Sequence, residues 1–513
     1  MTEKSGVAFE FHQLLRGSAL IFVGNLIGLG SSFGTRLIAA NHLGSSDYGL
    51  IVLGLTLINV TALVVLVGLP QGVARQISRS ENKAQVFFSS LLIAGPAAVL
   101  TAILSVLFAD RVSMIFNEPT FVPVLVVFAV TLPFFVLVKL FVGGIRGVEH
   151  ARGKVMVQDI FGKGVLLIAI GIGSFLGVGV VGIALSWVVT FVVTAAVAVY
   201  VLYNHTTLLD VRSLSVRETS TTSYSLITFS LPLMFAGAAS LLLNEMDNLF
   251  LGFFHSSAAV GVYDAAFTLA RMLLIFLLGF AFLFLPAFSR LDEAGDRQKM
   301  DRLYKIVVKW VTFLTFPMFI SLVFFPDYFI SLLFGTDFVD GGLALVIVSV
   351  GLFSSVLLGM NGNALMAIGE TRLILRANVV ALAVNIVLNA ALVPAFGITG
   401  AAVATSISVI LVDSYRSYYL YSLSGIHPFY RSYLRPLTGS VIVAAALFAT
   451  LNSTVSTGTA ALAFVVTMSV LHVLVIVLLG GIDAEDLELL GTVNEQVAVD
   501  LQPVRTILQR FVK

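Results

Sequence analysis

The chain has 513 residues, of which 58% are hydrophobic and only 11% charged, against about 25% charged residues in a soluble globular domain; a water-soluble fold is excluded. Its 29 Lys and Arg nearly balance 28 Asp and Glu, so charge gives no global reason to expect a nucleic-acid partner. The absence of cysteine rules out disulfides, thiolate catalysis and Cys-ligated zinc.

Apolar runs, many free of charge over the roughly 20 residues needed to cross a bilayer as a helix, recur along the whole chain. Helices and closed barrels alone satisfy their backbones in hydrocarbon, and stretches such as 165–172 lack the alternation of a barrel strand. The fold expected is therefore an all-α polytopic membrane protein with about fourteen transmembrane helices. Residues 7–15 mix polar and apolar side chains and are expected along the membrane surface. The first apolar run, 20–40, is too long for a cleavable signal peptide and is read as a spanning helix.

Spans 1 to 6 are placed near 17–40, 48–69, 85–108, 121–144, 155–175 and 178–203. Spans 7 to 12 follow near 225–252, 260–287, 307–325, 341–364, 375–396 and 398–422, and spans 13 and 14 near 437–453 and 457–480. The domain organisation expected is an N-lobe at 1–203, a cytoplasmic linker at 204–223, a C-lobe at 224–424, two additional helices at 425–480 and a cytoplasmic tail at 481–513. The tail is amphipathic in places, at Leu487, Leu490, Ile507, Leu508 and Phe511.

Alternate loops carry the basic residues: Arg75, Arg79 and Lys83; Arg146, Arg152 and Lys154; Arg212 and Arg217; Arg290 to Lys305; Arg372 and Arg376; Arg431 and Arg435. Loops between them carry Arg111 and little else. Because basic loops stay in the cytoplasm, both termini are expected there, with the protein in the cell membrane.

The two blocks of six spans resemble each other. Leu43 to Gly49 at the turn after span 1 matches His255 to Tyr263 at the turn after span 7, and 179–184 matches 397–402. The pattern predicts two six-helix lobes related by duplication, parallel repeats with substrate handled where they meet.

These motifs, with 285–290, 334–338 and the stretch from Ala367 through Asn385, Asn389 and Pro394 to Thr405, resemble the polysaccharide-transporter branch of the multidrug/oligosaccharidyl-lipid/polysaccharide exporter superfamily. The resemblance runs over nearly the whole chain. It implies a flippase that moves a lipid-linked oligosaccharide, on a polyprenyl or dolichol phosphate or pyrophosphate, from the cytoplasmic to the outer leaflet by alternating access. Cell-surface polysaccharide synthesis or protein glycosylation would use the product. The preference for Arg over Lys and the abundance of Val and Ala suggest an archaeal source.

Charges inside a membrane carry an energetic penalty, about 2.5 to 3.5 kcal/mol by insertion scales, which makes each a functional candidate. Asn25, Ser32 and Arg36 share a face of span 1, where Arg36 either grips phosphate oxygens or snorkels to the interface. Lys139 and Lys163 add a basic lining to the first lobe, although Asp159 precedes Lys163 by one helical turn and can pair with it. Arg271 is the deepest cation of span 8 and needs an anion, either the substrate or Asp247 or Glu245 of span 7. Substrate-binding candidates are thus Arg36, Asn25, Lys139, Lys163 and Arg271, and gating or ion-coupling candidates Asp247, Glu245 and Asp264, with Na⁺ or H⁺ as the coupling ion. The polar stripe at Asn378, Asn385 and Asn389 serves as sugar ligand or as glue between helices. Pro133, Pro232 and Pro317 mark kinks.

No catalytic residue, metal or cofactor is expected, and the protein is expected to act as a monomer among membrane lipids. The His residues show no HExxH spacing, and no Gly-rich loop ends in Lys-Ser or Lys-Thr. Two rivals stay open: a cation-coupled multidrug or metabolite antiporter of the same superfamily, and a polytopic glycan polymerase or glycosyltransferase.

Overall fold

The computed structural model describes residues 2–210, 214–454, 457–483 and 486, with the side chains of 2–23, 26, 216–218, 236, 282, 452–454 and 457 outside that description. The surface face expected for 7–15 and the amphipathic positions of the tail beyond 486 lie outside it too.

Among the described residues all regular structure is helical, and eleven helices are long and apolar enough to cross a membrane, or twelve when the two halves of span 7 are taken together. Two of these helices each hold two spans. Thr2–Leu66 breaks at Gly44, with φ 73° and ψ 176°, and Thr371–Ser424 breaks at Gly397, with φ 54° and ψ −129°. Both breaks use positive φ, which glycine adopts without a Cβ clash. The helices are consistent with the fourteen spans expected. Span 7 bends by 46° between 219–235 and 237–254, with Pro232 inside the helix. Pro133 and Pro317 also sit within helices.

Contacts divide the chain into two compact units. The first comprises Met1–Ala265, Leu333–Phe338 and Leu382–Ala404, and the second Ala266–Leu332, Val339–Ala381 and Thr405–Lys513.

In the first unit, the duplicated turns lie directly against each other. A Cβ on Gly49 would overlap the Ser257 carbonyl, and one on Gly261 would overlap the Ser45 carbonyl. The reciprocity is what a pseudo-two-fold relation between repeats requires, and glycine is needed because backbone meets backbone. His42 Nε2 bonds the Val178 carbonyl at 2.8 Å, and His255 Nε2 bonds the Val393 carbonyl at 2.7 Å. Each repeat therefore ties the end of its first span to the region before its last. Further turns join the same end: the Ser257 N–H donates to Glu118 Oε1 at 2.9 Å, and Asn41 Nδ2 donates to the Leu333 carbonyl. Tyr48 packs edge-on against Phe338 at 6.0 Å. Replacing Gly261 by Ala is expected to weaken this closure by about 1 to 2 kcal/mol through overpacking, read as faster labelling of a cysteine introduced at Ser257.

In the second unit, span 10 is interrupted at Gly359, φ 74° and ψ −140°, between Gly342–Leu358 and Asn361–Ala367. An unbonded carbonyl inside a membrane costs several kcal/mol. Here hydroxyls satisfy the helix end: Thr312 donates to Val356 at 3.3 Å, Tyr433 to Leu357 at 3.2 Å and Tyr304 to Leu358 at 2.5 Å. Lys309, fully buried, binds Asp486 at 2.6 Å and Asp483 at 3.0 Å, and Trp310 Nε1 donates to Asp486 at 2.8 Å. Those bonds fasten the segment after span 14 to span 9.

Candidate functional site

The first unit encloses a cavity of about 500 Å³ whose polar lining is Asn59, Gln71, Lys139, Arg146, Gln158, Lys163 and Thr194. Its walls come from spans 2, 4, 5, 6 and 7, with apolar side chains such as Leu63, Phe135, Phe191 and Leu241 between the polar ones. Span 5 enters it through a seven-residue π-helical stretch, Val155–Phe161. The wide turn carries Gln158 and Asp159, and such turns concentrate at functional sites. Arg146 Nη2 donates to Gln158 Oε1 at 3.1 Å.

The two lysines expected to share a basic lining do so, in different electrostatic states. Lys163 lies 3.6 Å from Asp159, itself 1% exposed and 4.0 Å from Lys154. The local pair allowed by the one-turn spacing is formed. Span 1 makes room for this lysine, since a Cβ on Gly28 would come within 2.6 Å of Lys163 Nζ. Lys139 instead rests over the Phe135 ring at 4.9 Å. Among the described residues it has no carboxylate within ion-pair distance. A cation directed into a cavity without a counter-ion attracts an anionic ligand.

The carboxylates form a second group nearer the closed turns. Arg36 pairs with Asp264, and the Tyr48 hydroxyl donates to the same carboxylate at 2.5 Å. The guanidinium thus has a protein partner, and spans 1, 2 and 8 meet on one charge pair. Glu245 accepts from Thr56 at 2.7 Å and from Asn59 at 3.0 Å; Asn59 also lines the cavity. Asp247 accepts from the Tyr263 hydroxyl and from Asn389 Nδ2, the latter at 2.8 Å. Asn389 also reaches Asn385 Oδ1 at 3.1 Å, and its own Oδ1 is buried without a hydrogen-bond partner among the described residues. Asn389 therefore fastens span 11 to span 7, while Asn378 pairs with Arg416 of span 12.

Arg271 lies in the second unit, exposed, with its guanidinium 5.0 Å from the Phe267 ring centre. Asn25 is exposed and is not part of the cavity lining.

Sequence reasoning missed several members. Arg146 was counted only as a loop charge, and Gln71, Asn59 and Gln158 not at all, because an uncharged amide in a long apolar run gives a weak signal. Also missed was a cluster in the second unit, where Asp413 accepts from Ser355 and Asn361, and Arg416 donates to Asn378 Oδ1 at 2.6 Å. Asp413 and Arg416, three residues apart inside span 12, were visible to the intramembrane-charge rule.

Hydrocarbon-length helices around a basic cavity define a multi-pass helical membrane protein. The profile of a family described as "Polysaccharide biosynthesis protein" matches residues 38–341, and the chain belongs to that family. Among its relatives are two proteins of Haloferax volcanii. The probable low-salt glycan biosynthesis flippase Agl15 is 24% identical over 437 residues, 85% of this chain and 89% of the relative. The probable flippase AglR is 23% identical over 422 residues, 78% of this chain and 82% of the relative. The fold is shared with the lipid II flippase MurJ in an inward closed conformation, at TM-score 0.69 and 14% identity, covering 91% of this chain and 98% of MurJ. It is also shared with an inward-facing multidrug resistance MATE transporter, at TM-score 0.63 and 17% identity, covering 78% and 94%. The polysaccharide family read from Leu43 to Gly49 and the later motifs is borne out.

Proposed function

We propose that the chain is a flippase that carries a lipid-linked oligosaccharide from the cytoplasmic to the outer leaflet, acting by transport and not by catalysis. The observation that carries this reading is the cavity whose lining includes Lys139, with no carboxylate within ion-pair distance among the described residues, beside Lys163 and Arg146. A phosphate or pyrophosphate headgroup supplies the missing anion, while hydrogen bonds from Asn59, Gln71 and Gln158 suit the first sugar. Flippases among the relatives support the same direction. Both termini lie in the cytoplasm in this reading, and the lobes 1–203 and 224–424 alternate in access to the two sides. The archaeal source inferred from composition agrees with the Haloferax relatives.

The deciding experiment reconstitutes the full chain in vesicles with a fluorescent polyprenyl-pyrophosphate-linked oligosaccharide and follows its accessibility to an external quencher. Flipping raises the accessible fraction with time; a static fraction equal to that of empty vesicles rejects the proposal.

A cation-coupled antiporter is the second reading, supported by the fold shared with MATE transporters. Efflux of cationic dyes in the same vesicles without lipid movement would select it. Under either reading Asp247 is the proposed coupling carboxylate, because Asn389 Oδ1 beside it is buried and unbonded, an oxygen suited to Na⁺. Asp247→Asn is expected to remove any Na⁺ stimulation of transport while leaving a residual uncoupled rate; Na⁺ dependence unchanged from the parent excludes the role.

A further inference from the structure

A second basic concavity, of about 460 Å³, is lined by Arg75, Gln76, Arg79, Ser80, Val86, Thr221, Thr222, Ser225 and Phe229. It shares no lining residue with the cavity at Lys139, although both draw on the short helix after span 2 and on span 7. The short helix Leu69–Ile77 buries Leu69, Gly72, Val73 and Ile77. Its buried side is clamped to span 7: a Cβ on Gly72 would overlap the Ser230 hydroxyl, and one on Gly68 the Ser230 carbonyl. With that face fixed, the arginines and Gln76 border the concavity. Opposite them, the first turns of span 7 supply Thr221, Thr222 and Ser225, with Gln76 Nε2 reaching Ser225 Oγ at 3.5 Å.

Among the described residues the lining contains two guanidinium groups and four hydroxyls and no carboxylate. Among the described residues neither arginine has an acidic group within ion-pair distance. Arg75 stacks on the Phe229 ring at 4.9 Å. The ring holds the guanidinium by a cation–π contact, and a guanidinium's planar fork of N–H donors takes phosphate oxygens in pairs. Arginines that merely mark the membrane boundary need neither a fixed ring beneath them nor a hydroxyl-rich wall opposite.

We propose that Arg75 and Arg79, with the hydroxyls of Thr222 and Ser225, form a second anion site that binds the phosphate of a membrane lipid headgroup. Arg75 and Arg79 belong to one of the basic loops, which the positive-inside rule puts at the cytoplasmic face, within reach of lipid headgroups. Occupancy brings phosphate negative charge between the short helix and span 7 and holds them together. The inference is independent of the cargo carried at Lys139.

The test uses the full chain in phosphatidylcholine nanodiscs and measures binding of short-chain phosphatidylglycerol, with inorganic phosphate as the lipid-free arm. Arg75→Gln/Arg79→Gln is expected to weaken phosphatidylglycerol binding by on the order of 100-fold or more, since each of the two charge-assisted contacts contributes about 10- to 100-fold. Lys139→Ala is expected to leave it unchanged, and Arg75→Lys/Arg79→Lys to restore part of it. Thermal melting of each variant reports folding, and Thr222→Val/Ser225→Ala, which keeps both charges, is expected to weaken binding by a smaller factor. Phosphatidylglycerol binding unaffected in Arg75→Gln/Arg79→Gln and in Thr222→Val/Ser225→Ala overturns the site. Inorganic phosphate binding as tightly as the lipid overturns the lipid assignment.

Discussion

Replacing Arg36 by Leu is expected to open the end of the bundle where the duplicated turns meet, shifting the conformational equilibrium on the order of 100-fold. The partner, Asp264, is only 6% exposed. Removing one member of a buried pair leaves the other as an uncompensated charge, at about 3 to 5 kcal/mol. The lower figure applies, since Arg36 is itself 37% exposed and the Tyr48 hydroxyl still donates to the carboxylate. About 3 kcal/mol is a factor on the order of 100. The chain contains no cysteine, so a single cysteine at Ser257, a position 1% exposed, labels without background. Arg36→Leu should accelerate its reaction with a membrane-impermeant maleimide and slow lipid-linked glycan export. Exchange of the two charges, Arg36→Asp with Asp264→Arg, should recover part of both. Unaltered labelling in Arg36→Leu would show that the pair does not control this closure.

The second prediction separates function from stability at Lys139. Replacing it by Leu is expected to raise the melting temperature of the detergent-solubilised protein while reducing flipping by roughly 10- to 100-fold. The two signs have one origin. Lys139 points its ammonium into a cavity without a carboxylate partner, so its charge opposes folding. Under the proposed function the same charge would make a charge-assisted bond to a phosphate, of about 1.5 to 3 kcal/mol. Lys163 provides the contrast, since it is paired with Asp159: Lys163→Leu leaves a carboxylate 1% exposed and is expected to lower both stability and transport. A Lys139→Leu protein that flips at the parental rate would remove this residue from the pathway.

Sequence by itself determined the helical, membrane-spanning architecture, because the requirement to satisfy backbone groups in hydrocarbon is local and is written in run length and composition. It also located the turns at Gly44 and Gly397 and the duplicated motifs, of which Gly49 and Gly261 prove to be points of backbone contact. The candidate charges were legible for the same reason, since an ionised group within an apolar run stands out. What each charge faces was decided only by tertiary structure. Arg36 and Asp264 are 228 residues apart, and Lys309 finds Asp486 at a separation of 177, distances over which no helical periodicity acts. Lys163 carries Asp159 one helical turn away, so its pair was legible in the chain itself, whereas only the packed structure shows that Lys139 meets no carboxylate among the described residues. Side-chain partners follow from the rotation and depth of packed helices, which the contacts among all the spans set jointly.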